Sequence, residues 1–239
     1  MINIKLADIS IRLKNRYPDV EDLCWEYETQ EEPVMTLSVS QEEIERERNL
    51  QADIFTDGYL ESVCLYRKLA LEMLQHDVFI LHASIVEVDG EGYAFLASSG
   101  TGKTTQTRLW LEYFGSRSRV INGDKPLIRI VPKGEEWEFT AYGTPWCGKE
   151  GMGCNASVPL KALFLLERAV EPSCEIASEE YSIDRLFHQL LIPEQPDQME
   201  QLLTMADRLV ETVPCYRLGC DMTTVSVRTA FNATQEPLK

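Results

Sequence analysis

Eight consecutive residues, Ala97-Ser98-Ser99-Gly100-Thr101-Gly102-Lys103-Thr104, carry the most legible chemistry in the chain. They match the phosphate-loop pattern G-x-x-x-x-G-K-[ST] everywhere except the first position, where Ala replaces Gly. An apolar run from Tyr93 to Leu96 leads in, and a helix-forming run from Thr104 to Phe114, ended by Gly115, leads out. Successive N–H groups in such a loop curl around phosphate oxygens, and the helix N-terminus adds favourable partial charge. Gly100 and Gly102 permit the tight backbone, Lys103 reaches the β- and γ-phosphates, and the Thr104 hydroxyl ligates Mg²⁺. Ser98, Ser99, Thr101 and Thr105 complete the expected nucleotide-binding set. The bland alternative, a Gly-Thr-Gly turn that happens to precede a helix, leaves the strand before it unexplained. The expected cofactors are ATP or GTP together with Mg²⁺.

Three further features are expected around this loop. Val120-Ile121-Asn122-Gly123-Asp124 is a short apolar strand ending in an acid, where a phosphate-loop protein places a metal-binding aspartate. Taken alone, it would read as an Asn-Gly-Asp turn. His82 lies in a strand-like run from Val78 to Val88, joined to Tyr93–Leu96 by the turn signal Asp89-Gly90-Glu91-Gly92. If that turn pairs Val88 with Tyr93, His82 faces Ser99 and its imidazole sits near the phosphates or the metal. His76 and His188 gain no such support. Finally, Tyr142 to Lys149 is a glycine-rich, aromatic and basic loop in which Gly143, Thr144, Trp146 and Lys149 are candidates for closing over the γ-phosphate or gripping an acceptor. It also reads as a plain connection. The expected catalytic set is His82, Lys103 and Asp124, with Thr104 and Asp124 holding the metal.

Positioning these residues requires an α/β fold. The N-terminal stretch mixes short strand-like runs (Ile9 to Leu13, Val34 to Val39) with an acidic segment from Gln41 to Arg48, and predicts a small α/β cap. Apolar residues at helical spacing from Tyr59 to Leu74 predict an amphipathic lead-in helix. Beyond it, strands are expected at Arg119–Ile121, Leu127–Val131, Trp137–Ala141, Ala162–Leu166 and Cys215–Leu218. Helices are expected at Ile183–Leu191, Gln198–Val210 and Thr223–Asn232. The domain division is therefore 1–75 for cap and lead-in helix and 76–239 for the phosphate-loop domain.

Composition narrows the partners. With 39 acidic against 23 basic residues, the net charge of −16 repels nucleic-acid phosphates and anionic lipid headgroups. A triphosphate site must then be built locally, from backbone N–H groups, a lysine and a metal ion. No run approaches the ~20 apolar residues of a membrane span, and residues 1–8 lack the apolar core of a signal peptide. The expectation is a cytoplasmic protein that binds neither nucleic acid nor membrane. Seven cysteines without a C-x-x-C pair fit reduced thiols better than a disulfide framework. Cys147 with Cys154, or Cys215 with Cys220, is imaginable as a metal pair, but no ligand lies at finger-like spacing.

At Leu81-His82-Ala83-Ser84, Ser98 to Thr105, Asn122-Gly123-Asp124-Lys125-Pro126 and Gly143-Thr144-Pro145-Trp146, the chain resembles the HPr kinase/phosphorylase-like group. It is more similar to the shorter HPr-kinase-related members found beside peptide-modification genes. The likeness runs from about Leu81 to Ala169, with a weaker stretch around Val213 to Gly219. The resemblance implies a phosphoenolpyruvate-carboxykinase-like P-loop core, a mixed sheet with helices, and transfer of the γ-phosphoryl group to a serine-type hydroxyl. It also implies a histidine near the active site and an acid after the loop that holds metal or acts as base. The group typically shows two adjacent acids there, whereas Asp124 stands between Gly123 and Lys125, so one acid does both tasks or the base lies elsewhere. The longer C-terminal signature for reverse phosphorolysis is missing, which speaks against a bifunctional enzyme. The expected function is an ATP-dependent kinase for a hydroxyl on a peptide, a small protein or a small molecule, with homo-oligomer formation left open. The rival readings are a carboxykinase-like or plain NTP hydrolase, and a non-catalytic nucleotide-binding regulator.

Overall fold

Ile2, Ile4 and Leu6 alternate with Asn3 and Lys5, the period-two pattern that buries one face of a strand. In the computed structural model, which describes residues 1–51, 53–98, 100–134 and 136–235, this segment is β1 (Ile2–Leu6). It pairs antiparallel with β2 (Ile9–Lys14). After α1 (Asp19–Cys24), β3 (Met35–Ser38) adds in parallel to β2. The acidic segment becomes α2 (Gln41–Leu50). Its start is a capping box in which Ser40 and Glu43 satisfy each other's backbone N–H groups, a device that stabilises a helix by about 1 kcal/mol. The lead-in helix is α3 (Asp57–Glu72), two residues earlier than its apolar spacing predicts because Thr56 caps it. These elements belong to a compact unit spanning Met1–His76; Asp77–Lys239 forms the other.

The second unit is built on a mixed sheet of nine strands among the described residues, in the order β4-β8-β9-β10-β6-β5-β7 with β12 and β11 branching from β10. The strands are β4 (Val78–Ile80), β5 (Ala83–Val88), β6 (Glu91–Leu96), β7 (Ser118–Asn122), β8 (Leu127–Lys133), β9 (Glu136–Tyr142), β10 (Ser157–Arg168), β11 (Ser173–Ile176) and β12 (Cys215–Cys220). The helices are α4 (Lys103–Phe114), α5 (Glu179–Phe187), α6 (Pro196–Thr212) and α7 (Thr224–Ala233). β10 is the spine: its first residues pair antiparallel with β9, while its later ones run parallel to both β6 and β12. Mixed α/β architecture with helices against the sheet is what the sequence predicts.

Three expectations are corrected. The run from Val78 to Val88 is not one strand: it breaks at Leu81-His82, and β4 pairs with β8 while β5 pairs with β6. The β5–β6 register is two residues tighter than expected. Val88 pairs with Glu91 because Asp89 and Gly90, both at positive φ, close a two-residue turn. That register carries on toward Ala97 rather than Ser99 as the neighbour of His82, and Ser99 lies outside the described residues. The helix expected at Ile183–Leu191 starts earlier, at Glu179, because Ser178 caps it, and ends at Phe187.

β6 is buried along Gly92 to Leu96, between β10 on one side and β5 on the other, and accordingly reads as a continuous apolar run. Its Tyr93 and Phe95 meet Trp110 of α4 at ring-centroid distances of 4.8 and 5.2 Å, and Phe95 meets Phe164 of β10 at 5.7 Å. Phe114 and Phe231 of α7 close this cluster at 4.9 Å. Each such aromatic pair contributes about 1 kcal/mol beyond its buried area. The cluster therefore fixes α4 against β6, and with it the loop between them. Among the described residues no helix is long and apolar enough to cross a membrane.

Candidate functional site

The loop leaves the last buried residue of β6 and returns through Gly102, the N-cap of α4. Gly102 has φ 134° and Gly100 has φ 77°, backbone conformations that residues with a Cβ rarely adopt. No side chain caps α4 and its first turn holds no acid. The amide groups that a capping side chain normally takes are left for a ligand. The Lys103 ammonium donates to the Ala97 carbonyl at 2.6 Å, folded back on its own loop. Thr107 accepts the Ser84 hydroxyl contact at 2.6 Å and donates to the Lys103 carbonyl at 2.9 Å, which ties the first turn of α4 to β5. At the top of the loop, Arg168 from the end of β10 donates to the Gly100 carbonyl at 2.6 Å.

Asp124 is placed by Asn122. The Asn122 side chain is fully buried, and its Oδ1 accepts from the N–H groups of Asp124 (2.9 Å) and Lys125 (2.7 Å). Its Nδ2 donates to Thr144 Oγ1 at 2.9 Å, and Thr144 in turn donates to the Lys125 carbonyl at 2.9 Å. The Asn-Gly-Asp turn is thus a bracket that points the following carboxylate at the loop. His82 arrives by a different route. Its N–H donates to the Gln189 carbonyl at 2.8 Å, and the Leu81 N–H donates to the Pro126 carbonyl at 3.2 Å. The break between β4 and β5 is pinned by these bonds, and His82 Nε2 lies 3.2 Å from Asp124 Oδ1.

A cleft of about 500 Å³ brings together His82, Ser98, Gly100, Gly102, Lys103, Thr104, Thr105, Gly123 and Asp124, closed on the far side by Cys147 to Glu150 and Met152. Burial alone would raise the Asp124 carboxyl, yet the hydrogen bond to His82 and the charges of Lys125 and Lys103 hold it below its ordinary value. Burial lowers the Lys103 ammonium, and the Asp124 charge acts in the opposite direction. The pair is thus an anion and a cation facing one partly desolvated space. Among the described residues no three His, Cys, Asp or Glu side chains gather as a metal cluster. One carboxylate and one hydroxyl lining the same cleft do fit Mg²⁺, which binds through few protein oxygens and takes its remaining ligands from phosphate and water.

Not every candidate residue lines the cleft. Thr101 lines a separate small pocket behind the loop, with Arg185, His188 and Gln189. Of the four residues proposed to close over the phosphates, Lys149 lines the cleft, whereas Gly143, Thr144 and Trp146 do not. Thr144 is buried in the Asn122 bracket, and a Cβ on Gly143 would stand 1.9 Å from the Cys154 carbonyl oxygen. Cys147 and Gly148, within the expected loop but not among its four candidates, line it too, as do Glu150 and Met152, which lie beyond that loop. They carry no motif, and only the return of the chain along β7 brings them there: the Cys154 N–H donates to the Ile121 carbonyl at 3.2 Å. Glu150 is further held by an ion pair with Arg108 of α4. Arg168 was also missed, since a lone arginine at a strand end has no local signature.

Residues 60–228 match the family model described as SynChlorMet cassette protein ScmC. This is a different family from the HPr kinase/phosphorylase-like group whose motifs the sequence resembles. No curated protein matches. Among solved structures, the Hpr(Ser) kinase/phosphatase from Coxiella burnetii is similar at 7% identity and a TM-score of 0.35, covering 65% of this chain and 95% of that one. So remote a likeness bears on neither fold nor chemistry.

Proposed function

We propose a function for a chain that belongs to the SynChlorMet cassette protein ScmC family: Mg²⁺-dependent transfer of the γ-phosphoryl group of ATP, or GTP, to a serine-type hydroxyl of a peptide or small protein. The observation that carries this reading is the convergence of Lys103, Thr104, Asp124 and His82 on one cleft at the uncapped start of α4. A phosphate-loop core of the phosphoenolpyruvate-carboxykinase kind, acting in the cytoplasm, is the corresponding fold and setting.

The N–H groups at the start of α4 bind the phosphate oxygens, and Lys103 exchanges the Ala97 carbonyl for the β- and γ-oxygens. That exchange favours the bound state, because a carbonyl neutralises less of the ammonium charge than a triphosphate does. Thr104 and Asp124 would hold Mg²⁺, which when bound neutralises charge that builds on the transferred group. His82 orients the Asp124 carboxylate. The acceptor hydroxyl loses its proton to Asp124 or to His82 beside it as the new O–P bond forms and the bond to the β-phosphate oxygen breaks. Lys149, which lines the same cleft as Asp124, would meet the acceptor.

A small-molecule hydroxyl as acceptor, and a non-catalytic nucleotide-binding regulator, are the competing readings. Incubation with γ-labelled ATP, Mg²⁺ and parallel pools of peptides and small metabolites separates the three. Label in peptide is the expected result. Label confined to a metabolite removes the peptide acceptor and keeps the kinase, and tight nucleotide binding with no turnover in any pool removes the kinase.

A further inference from the structure

A second groove, larger than the candidate cleft, lies away from the phosphate loop. It holds about 870 Å³, against about 500 Å³ for the nucleotide cleft, and sits at the beginning of β12, whereas the loop follows the end of the parallel strand β6. Glu175, Glu179 and Glu211 line it, and among the described residues no Lys, Arg or His does. Two helix C-termini also converge on it, through Val210 to Thr212 of α6 and Asn232-Ala233 of α7. Helix C-termini carry partial negative charge that a basic residue in the last turn usually offsets. Neither α6 nor α7 has one.

Opposing charges do not cancel this field. The N-terminus of α5 contributes partial positive charge, but its first turn already carries Glu179 and Glu180. Arg217 reaches Glu175 at 3.8 Å, while the same guanidinium is held 2.8 Å from Glu167. Among the described residues, Glu179 and Glu211 have no ion-pair partner. The floor is apolar: Ile176, 57% exposed, stands on β11, with Pro214 and Tyr216 beside it. Among the described residues β11 pairs with β12 alone, so its outer edge is unpaired.

We propose that this groove docks an extended peptide segment in which lysine or arginine side chains alternate with apolar ones. The cations would meet the three glutamates and the two helix ends, the apolar side chains would cover Ile176, and the backbone would run beside the open edge of β11. A metal ion is a poorer occupant, since among the described residues no three ligating side chains cluster. A second copy of a chain with net charge −16 is disfavoured by repulsion. That the docked segment belongs to the phosphoryl acceptor rests on the kinase reading above; the docking itself does not.

The test uses the full chain without nucleotide and a fluorescein-labelled synthetic peptide of alternating lysine and valine around one serine, read by fluorescence anisotropy. E175K/E179K/E211K should weaken binding by about tenfold or more, in keeping with charge reversal at a complementary surface. E45K/E112K/E200K, which changes total charge equally elsewhere, should change it by less than about twofold. If the reversal variant misfolds by circular dichroism, E175Q/E179Q/E211Q replaces it, with about a threefold loss expected. Equal losses in groove and control variants would reduce the effect to bulk charge and overturn the proposal. So would unchanged affinity in the groove variant, or equal binding of a peptide with glutamate in place of lysine. Docking without any phosphoryl transfer in the labelled-ATP assay would remove the kinase and leave the groove assignment standing. Phosphoryl transfer to peptide without docking would do the reverse.

Discussion

Two loops meet at the candidate cleft, and Gly100 and Gly102 of one serve a different purpose from Gly143 of the other. In the phosphate loop, Gly100 and Gly102 sit at positive φ with nothing within 4 Å of where a Cβ would stand. Their backbone is strained for most residues but open to solvent, the arrangement expected where a ligand, not protein, is to fill the space. At Gly143, in the loop that runs on to Gly153, crowding replaces strain: a Cβ there would lie 1.9 Å from the Cys154 carbonyl oxygen and 2.7 Å from that of Ile121, whereas Gly148 and Gly151 further along share the positive φ of the first loop. At Gly143 the chain needs glycine so that two backbone segments can touch. A glycine-rich stretch beside a candidate site is therefore not by itself a phosphate-binding or substrate-gripping device.

The largest expected effects fall on the charged pair in the cleft, Lys103 of the open loop and Asp124 of the Asn122 bracket. Lys103→Ala should abolish measurable turnover and strongly weaken triphosphate binding. Asp124→Asn should lower kcat by about 10²–10³, the cost of deleting one major electrostatic group in a transition state, with circular dichroism and Tm close to the parent. Near-normal activity in either variant, measured by labelled phosphate transfer, would make the open loop a structural turn and dissolve the contrast.

The contrast is sharpest in the glycines themselves. Gly143→Ala should cost about 3 kcal/mol through forced backbone separation and lower Tm by roughly 5–10 °C. Gly100→Ala should cost about 1 kcal/mol of stability yet lose nucleotide affinity, because the strained amide geometry is what the phosphate reads. Differential scanning fluorimetry with and without ATP resolves both. A Gly143→Ala protein with normal Tm and failed turnover would show that the second loop acts on substrate after all.

How far the site could be read from sequence follows from the same difference. The phosphate loop is contiguous and its chemistry is mostly backbone, so the pattern Gly100 to Thr104 carries it in full. The Asn122 bracket was visible as a turn, but its partner Thr144 is 22 residues away and had been assigned to substrate. His82 was linked to the loop through a hairpin register that proved two residues off. It reaches Asp124 because Gln189 and Pro126 hold the break between β4 and β5. Those carbonyl contacts have no side-chain signature, and neither do the strand end that presents Arg168 or the return path that brings Cys147 and Met152 to the cleft. Strand β1, by contrast, is legible in the alternation of Ile2, Ile4 and Leu6, although it carries no chemistry. His82→Ala tests the long-range route. It should lower kcat about tenfold or more through a misoriented Asp124, with Tm changed by less than ~2 °C; the reverse pattern would make His82 a structural residue.

The smallest expected effect concerns what anchors the open loop from outside. Arg168 donates to the Gly100 carbonyl, and the residue before it, Glu167, secures the end of β10. The Tyr181 hydroxyl donates to Glu167 at 2.6 Å, and Arg217 and Arg185 lie 2.8 and 3.2 Å from its carboxylate. The tyrosine hydrogen bond first, and then the two arginines, hold the Glu167 carboxyl below its ordinary value against the opposing effect of burial. A carboxyl lowered on folding contributes stability that is present above its unfolded pKa of about 4.3 and is lost as pH falls through its folded value. Glu167→Gln should therefore lower Tm by a few degrees near pH 7 and by progressively less below about pH 4, where the parent loses the same contribution. Nucleotide affinity should fall only slightly, since Arg168 keeps its own bond to the loop. A Tm difference that stays constant from pH 7 to pH 3 would mean that Glu167 acts through packing and not charge, and that the end of β10 holds the phosphate loop without help from the ion cluster.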